Sequence, residues 1–198
     1  MAILALLVML VNIRQPFPSV APLHHVPTVA VILCAPWWLR RWPLGNVALV
    51  CLLGFFALHS FGARWTYSSV PYDAWFRTLV GTDSSHLFGW TRNHYDRLVH
   101  FAFGGLMMMP VMEWLRPVLP GLSSRVRCVA TVVTLLSASA VYELFEGLLA
   151  LAVPADLAED YNGQQGDPWD AHKDMALALA GSLLVAAGLR WNRPVLSH

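Results

Sequence analysis

Six apolar stretches constrain this chain more than any other feature: roughly Ala2–Phe17, Val26–Leu39, Gly45–Phe61, Leu98–Leu115, Val126–Val153 and Met175–Leu189. A helix that crosses a bilayer needs about 20 residues, with a range of roughly 17–25. The first two stretches are short by that measure; the other four are firmer. Only 13% of the 198 residues are charged and 57% are hydrophobic, against about 25% charged in an ordinary soluble domain. The expected fold is therefore all-α: one integral membrane domain over residues 1–198, a polytopic transmembrane bundle of about six helices. Met1 to Ile13 lacks the basic start and small-residue cleavage site of a signal peptide, so it reads as a retained first helix. A net charge of +1 gives no reason to expect a nucleic-acid partner; membrane lipid is the expected one.

Orientation follows from Lys and Arg. With a cytoplasmic N-terminus and six spans, Arg40, Arg41, Arg116, Arg125, Arg127, Arg190 and Arg193 fall inside. Arg14, Arg64, Arg77, Arg92, Arg97 and Lys173 fall outside. The inside loops are much shorter, so their basic density is higher. Of the acidic residues only Glu113 lies on the inner side, where it reads as a snorkelling residue. The inner ends Trp38–Pro43, Trp114–Pro117 and Leu189–Pro194 each join an aromatic anchor, a positive charge and a helix stop. Cys34, Cys51 and Cys128 lack metal-binding spacing and read as reduced structural thiols. The expected location is the bacterial inner membrane.

Residues 62–95 form a long extracytoplasmic loop rich in Trp, Tyr and Phe. Loops of that length are uncommon and often functional. Within it, Tyr72–Val80 reads as a short interfacial helix, with Asp73 and Arg77 paired at i,i+4. The loop serves either as an aromatic cap on the bundle or as a lid over a site.

Three polar clusters border the spans: Arg92–Phe101, Tyr142–Glu146 and Gln164–Met175. Asp96 and His100 share a helix face, as do Glu143 and Glu146, and Asp170 and Asp174. At about 1.5 Å per residue, all three clusters lie at one level just under the outer interface. Carboxylates at that depth are costly unless paired, hydrated or bound to a cation. One divalent metal ion held by His100, Glu143, Glu146, Asp170 and Asp174 would meet that need, and Asp96, His100 and Glu143 are the candidate catalytic residues. Two other readings stay open. Arg64, Arg92, Arg97 and Lys173 can neutralise the carboxylates in a structural salt-bridge network, or the carboxylates can form a proton or ion path. Asp167 reads as a helix cap ahead of Pro168. His24, His25, His86, His172 and His198 read as exposed, whereas His59 can join the site with Tyr67 or anchor the loop. Gly104, Gly105 and Gly181 allow close helix approach.

At these clusters the chain resembles the YjdF-type family of predicted bacterial inner-membrane proteins. The likeness runs through Thr66-Tyr67, Val70-Pro71, Arg92–Phe101, Tyr142–Glu146 and Gln165–Met175. One departure is Arg64, where the family usually has a His. A looser likeness to VanZ-like membrane proteins rests on Asp96–Phe101, Glu143/Glu146 and Asp170/Asp174. These resemblances imply a shared bundle and a cell-envelope setting, and bring no reaction with them. Three functions are expected candidates: an envelope enzyme acting through a divalent metal on a lipid or lipid-linked headgroup, a proton- or ion-coupled transporter, and a non-catalytic accessory that binds lipid or a partner.

Overall fold

A computed structural model describes residues 1–191; Asn192, Arg193, Pro194 and His198 lie outside the described residues. Among those described there are eleven helices and no strand. They are α1 (Ala2–Val11), α2 (Ala21–His24), α3 (Val26–Arg41), α4 (Asn46–Arg64), α5 (Tyr72–Val80), α6 (Ser84–Phe88), α7 (Tyr95–Leu106), α8 (Met108–Val118), α9 (Ser124–Ala152), α10 (Ala155–Asn162) and α11 (Asp170–Trp191). Four helical stretches are long and apolar enough to cross a membrane: Asn46–Arg64, Tyr95–Val118, Ser124–Ala152 and Asp170–Leu189. The first two apolar segments become helices of 10 and 16 residues, both short of a full span. They pack as α1 and α3 against α4.

The stretch Tyr95–Val118 is one span with a break at Met107. Pro110 causes it: proline has no N–H to give the carbonyl of Leu106, and its ring crowds that carbonyl. The hydrogen bonds from Met107 N to Phe103 O and from Val111 N to Met107 O carry the i→i−4 pattern across the break.

The closest helix contact is between α7 and α11. A Cβ built on Gly104 would lie 1.8 Å from the Ala178 carbonyl oxygen, and one on Gly181 would lie 2.1 Å from that of Phe101. The two backbones touch, and only hydrogen fits at these positions. In lipid, helix association depends on such packing because apolar burial alone gives little preference for protein over acyl chain. Around this seam, Leu52, Phe55, Phe56, Tyr95 and Val99 form one buried cluster between α4 and α7. Met108, Cys128, Leu135 and Ala186 form a second one toward the other end of the bundle.

Polar contacts pin the periphery. The Arg64 guanidinium donates to the carbonyls of Val11, Ile13 and Arg14 and so closes the C-terminal end of α1. Glu113 is not a free snorkelling side chain: its carboxylate accepts from the Gly45 N–H at 2.7 Å, at the N-cap of α4. An anion there complements the exposed amides and dipole of the helix start. The expected helix at Tyr72–Val80 is α5, with the same bounds. Its charge pairing differs from expectation. Arg77 makes a two-pronged pair with Asp83, each bond 2.5 Å, while Asp73 accepts from Ser84 Oγ and Ser85 N at the start of α6. The fork geometry of arginine favours that carboxylate over a single i,i+4 contact. All three cysteines are free.

Because the α7–α11 seam leaves no room for a methyl group, Gly181→Ala and Gly104→Ala should each destabilise the protein by about 1–3 kcal/mol or more. Unfolding midpoints in detergent check this; a midpoint equal to wild type in both variants would contradict the seam.

Candidate functional site

The ends of α7 and α11 carry two distinct polar groups. The first is a clamp of opposite charges, three cations on two carboxylates. The Arg92 guanidinium donates to Asp170 Oδ1 at 2.5 Å and to the carbonyls of Gly163 and Gln164. Arg97 donates to Asp167 at 2.6 Å and lies 3.5 Å from Asp170. Lys173 closes on Asp167 at 2.5 Å. Neutral bonds extend the clamp: the Gln165 side chain exchanges hydrogen bonds with both backbone groups of Asn93, and Asn93 Nδ2 donates to Val70 O. Asp167 also caps the turn into α11 by accepting from Trp169 N. Lys173 and the Trp169 amide hold its carboxyl down to about 2. His94, which borders the clamp, is held below the usual imidazole value by burial and by Arg97 and Arg92.

The second group adjoins it: His100 and Asp174 lie about 6–8 Å along α7 and α11 from their first residues, and Asp96 is in the first turn of α7. Ligand atoms of Asp96, His100 and Asp174 all lie within 4.8 Å of one another. His100 Nε2 is 3.6 Å from Asp96 Oδ1 and 3.6 Å from Glu143 Oε1. Those separations are too long for hydrogen bonds. Asp174 is 2% exposed, and its Oδ1 and Glu143 Oε1 are buried without a hydrogen-bond partner among the described residues. No arginine or lysine forms a salt bridge with Asp96, Glu143 or Asp174 among the described residues; those cations are engaged with Asp167 and Asp170.

Beside this group is a cavity of about 230 Å³. Asp96 and His100 form part of its wall, joined by Glu146, Tyr142 and Ser139 from α9, Tyr161 and Asn162 from α10, and Phe55 and Phe56 from α4. A hydrogen-bonded chain closes one side. Thr66 and Tyr67 both take positive φ, which turns the backbone after α4 so that the Tyr67 hydroxyl meets His59 Nδ1 at 2.5 Å. His59 Nε2 in turn meets the His24 carbonyl at 2.9 Å.

Of the residues read from the sequence, the structure brings Asp96, His100, Glu143 and Asp174 together. Glu146 faces the cavity, and Asp170 faces Arg92 and Arg97. Asp170 and Asp174 share a helix face, yet their neighbours differ: arginines stand opposite the first turn of α11 and the imidazole opposite the second. Two expectations about histidine are corrected. His24 and His25 are 1% and 3% exposed, not loop residues in water. α10 folds back on the end of α9 and stacks Tyr161 flat on His24, with ring centroids 4.3 Å apart. Burial, reinforced by His59 and His25, holds His24 down to about 3, so the ring is neutral. His86 and His172 are exposed as expected. Tyr161, Asn162 and Ser139 were missed, since a short acidic helix and a lone serine carry no spacing signal.

The family profile described as "Predicted membrane protein (DUF2238)" matches residues 1–193. The chain is also 34% identical over 165 residues to the inner membrane protein YjdF of Escherichia coli (strain K12), covering 79% of this chain and 71% of the relative. No solved structure matches.

Two outcomes follow from the clamp. Arg92→Ala leaves the buried Asp170 without its 2.5 Å partner and should cost about 3 kcal/mol, read as the unfolding midpoint in detergent. Asp167 sits below its ordinary 3.8, so it stabilises the folded state above about 4 and loses that contribution as pH falls toward about 2. Asp167→Asn should flatten the acid limb of the stability profile between those values; an unchanged limb would contradict the assignment.

Proposed function

This chain belongs to the DUF2238 family of predicted membrane proteins, and we propose that it holds one divalent cation on Asp96, His100, Asp174 and Glu143. It is a multi-pass protein of the bacterial inner membrane. In the proposed orientation the N-terminus is cytoplasmic and the site lies just beneath the extracytoplasmic headgroups, in reach of a lipid or lipid-linked phosphate.

One observation carries the reading: carboxylates gather around a single imidazole with, among the described residues, no arginine or lysine bound to them and two of their oxygens buried without a partner. Removing charge from water inside a bilayer is expensive unless protons or a cation neutralise it. A metal at roughly 2.0–2.2 Å from each ligand sets neighbouring ligand atoms about 3.0–3.4 Å apart. The 3.6 Å gaps at His100 need only a slight contraction to reach that. The ligand set, oxygen-rich with one imidazole, suits Mg²⁺, Mn²⁺, Zn²⁺ or Fe²⁺.

Such an ion would polarise a phosphate oxygen or lower the pKa of a bound water. Glu146, which faces the cavity without belonging to the ligand group, would take a proton from that water. Asp170 is assigned to the clamp and not to the ion. The transporter alternative asks for polar groups continuing through the midplane. Below Phe103 the span runs Gly104, Gly105, Leu106, Met107, Met108, Met109 and Pro110, and Glu113 is engaged by Gly45.

Metal analysis of the purified protein tests the reading. Wild type should retain about one divalent ion per chain, and His100→Ala and Asp174→Asn should lose it while keeping the fold. A wild type that folds without metal after loading with each of the four ions would remove the proposal.

A further inference from the structure

The cavity beside the cluster is a slot with unlike ends. Its back wall is one face of α7, on which Asp96, Val99, His100 and Phe103 recur at helical spacing. The sides are α4 and α9, which both pack on α7 rather than on each other. From Asp96 to Phe103 on α7, and from Glu146 to Ala138 on α9, the slot runs about 10–12 Å. Asp96, His100 and Glu146 stand at its upper end. Phe55, Phe56, Phe103 and Ala138 form the lower end, with the rings of Phe55 and Phe103 centred 5.3 Å apart.

Most of the surface that the slot presents is carbon. Several of its polar side chains bond within the wall. The Tyr67 hydroxyl meets His59 Nδ1, His59 Nε2 meets the His24 carbonyl, and Asn162 Nδ2 donates to the Glu146 carbonyl. Ordered water needs about 2–4 polar partners, and the lower half offers none. The mouth then decides which apolar ligand has access. Ala138 lines the slot and is itself exposed, at the edge of the face of α9 that carries the exposed Ser137 and Val141. It stands midway along α9, as Phe55 does along α4. Both helices are long and apolar enough to span, so the opening lies at mid-bilayer depth, among acyl chains.

We propose that the slot holds one acyl chain of a phospholipid, which enters between α4 and α9 past Ala138. The chain lies against Phe55, Phe56 and Phe103, and the glycerol end rises toward Asp96, His100 and Glu146. A plain hydrocarbon would leave the polar upper end without a partner, whereas a phospholipid matches the wall at both levels. That the lipid's phosphate meets the ion rests on the metal reading; the chain slot stands on the cavity alone.

The test uses the full chain in nanodiscs after EDTA treatment, with a phosphatidylglycerol that carries a trifluoromethyl diazirine midway along one acyl chain. Illumination followed by peptide mass mapping reads where the carbene inserts. Phe55 and Phe56 are 8% and 7% exposed, so lipid that merely surrounds the bundle does not reach them; the exposed Val133 and Leu144 record that lipid. Adducts on Phe55 or Phe56 should appear beside the outward ones. Val99→Trp, whose added volume has only the slot to occupy, should lose them and keep the adduct at Leu144. Adducts confined to outward residues overturn the proposal. So does labelling of Phe55 and Phe56 by a water-soluble diazirine alcohol as strong as by the lipid, or an unchanged pattern in folded Val99→Trp. Where Val99→Trp does not fold, the wild-type pattern decides. Slot adducts in protein that retains no metal leave the slot standing without the ion; bound metal with outward adducts alone removes the slot and leaves the ion.

Discussion

Everything at the polar end depends on the contact between the α7 and α11 backbones. Gly104 and Gly181 let the two helices approach until carbonyl oxygens occupy the space of a side chain. Both helices start at the same end of the bundle. Their first turns therefore lie side by side: Arg92 and Arg97 against Asp167 and Asp170, then Asp96 and His100 against Asp174. Wider packing would separate these groups by the width of a side chain and open them to lipid. The glycines have no chemistry, yet the polar arrangement is a consequence of their size.

Electrostatics then divides the acidic residues into two populations. Near the end of the helices, Asp167 and Asp170 have arginine and lysine partners, three cations to two carboxylates. Beside them, Asp96, Glu143 and Asp174 form no salt bridge with arginine or lysine among the described residues, and the His100 imidazole lies 3.6 Å from both Asp96 and Glu143. A bilayer does not tolerate that imbalance unless protons or a cation correct it. The clamp also does mechanical work, since Arg92 holds the backbone at Gly163 and Gln164. This fixes the loop that follows α10, and α10 carries Tyr161 and Asn162 into the cavity wall.

Much of this was legible in the sequence, where period and composition set the outcome. The bounds of α5, the level of the three clusters and the helical face shared by Asp96 and His100 all follow from local spacing. What spacing cannot give is the residue opposite. Asp170 and Asp174 look equivalent on paper, and the structure assigns one to arginine and the other to histidine. Arg64 closes α1 by binding the carbonyls at its C-terminal end. His24 reads as a loop residue because it falls between two apolar segments; it is buried by Tyr161, more than a hundred positions away. The four spans were recognisable from length, whereas α1 stops at 10 residues.

The central claim is that Asp96, His100, Glu143 and Asp174 are ligands of one ion. Pulsed electron paramagnetic resonance of the protein loaded with Mn²⁺ addresses it directly, because a coordinated imidazole couples its nitrogen to the electron spin. The account predicts a bound Mn²⁺ signal with nitrogen modulation that disappears in His100→Gln. A signal of fully hydrated Mn²⁺ in wild type, or nitrogen modulation that persists without His100, would contradict it.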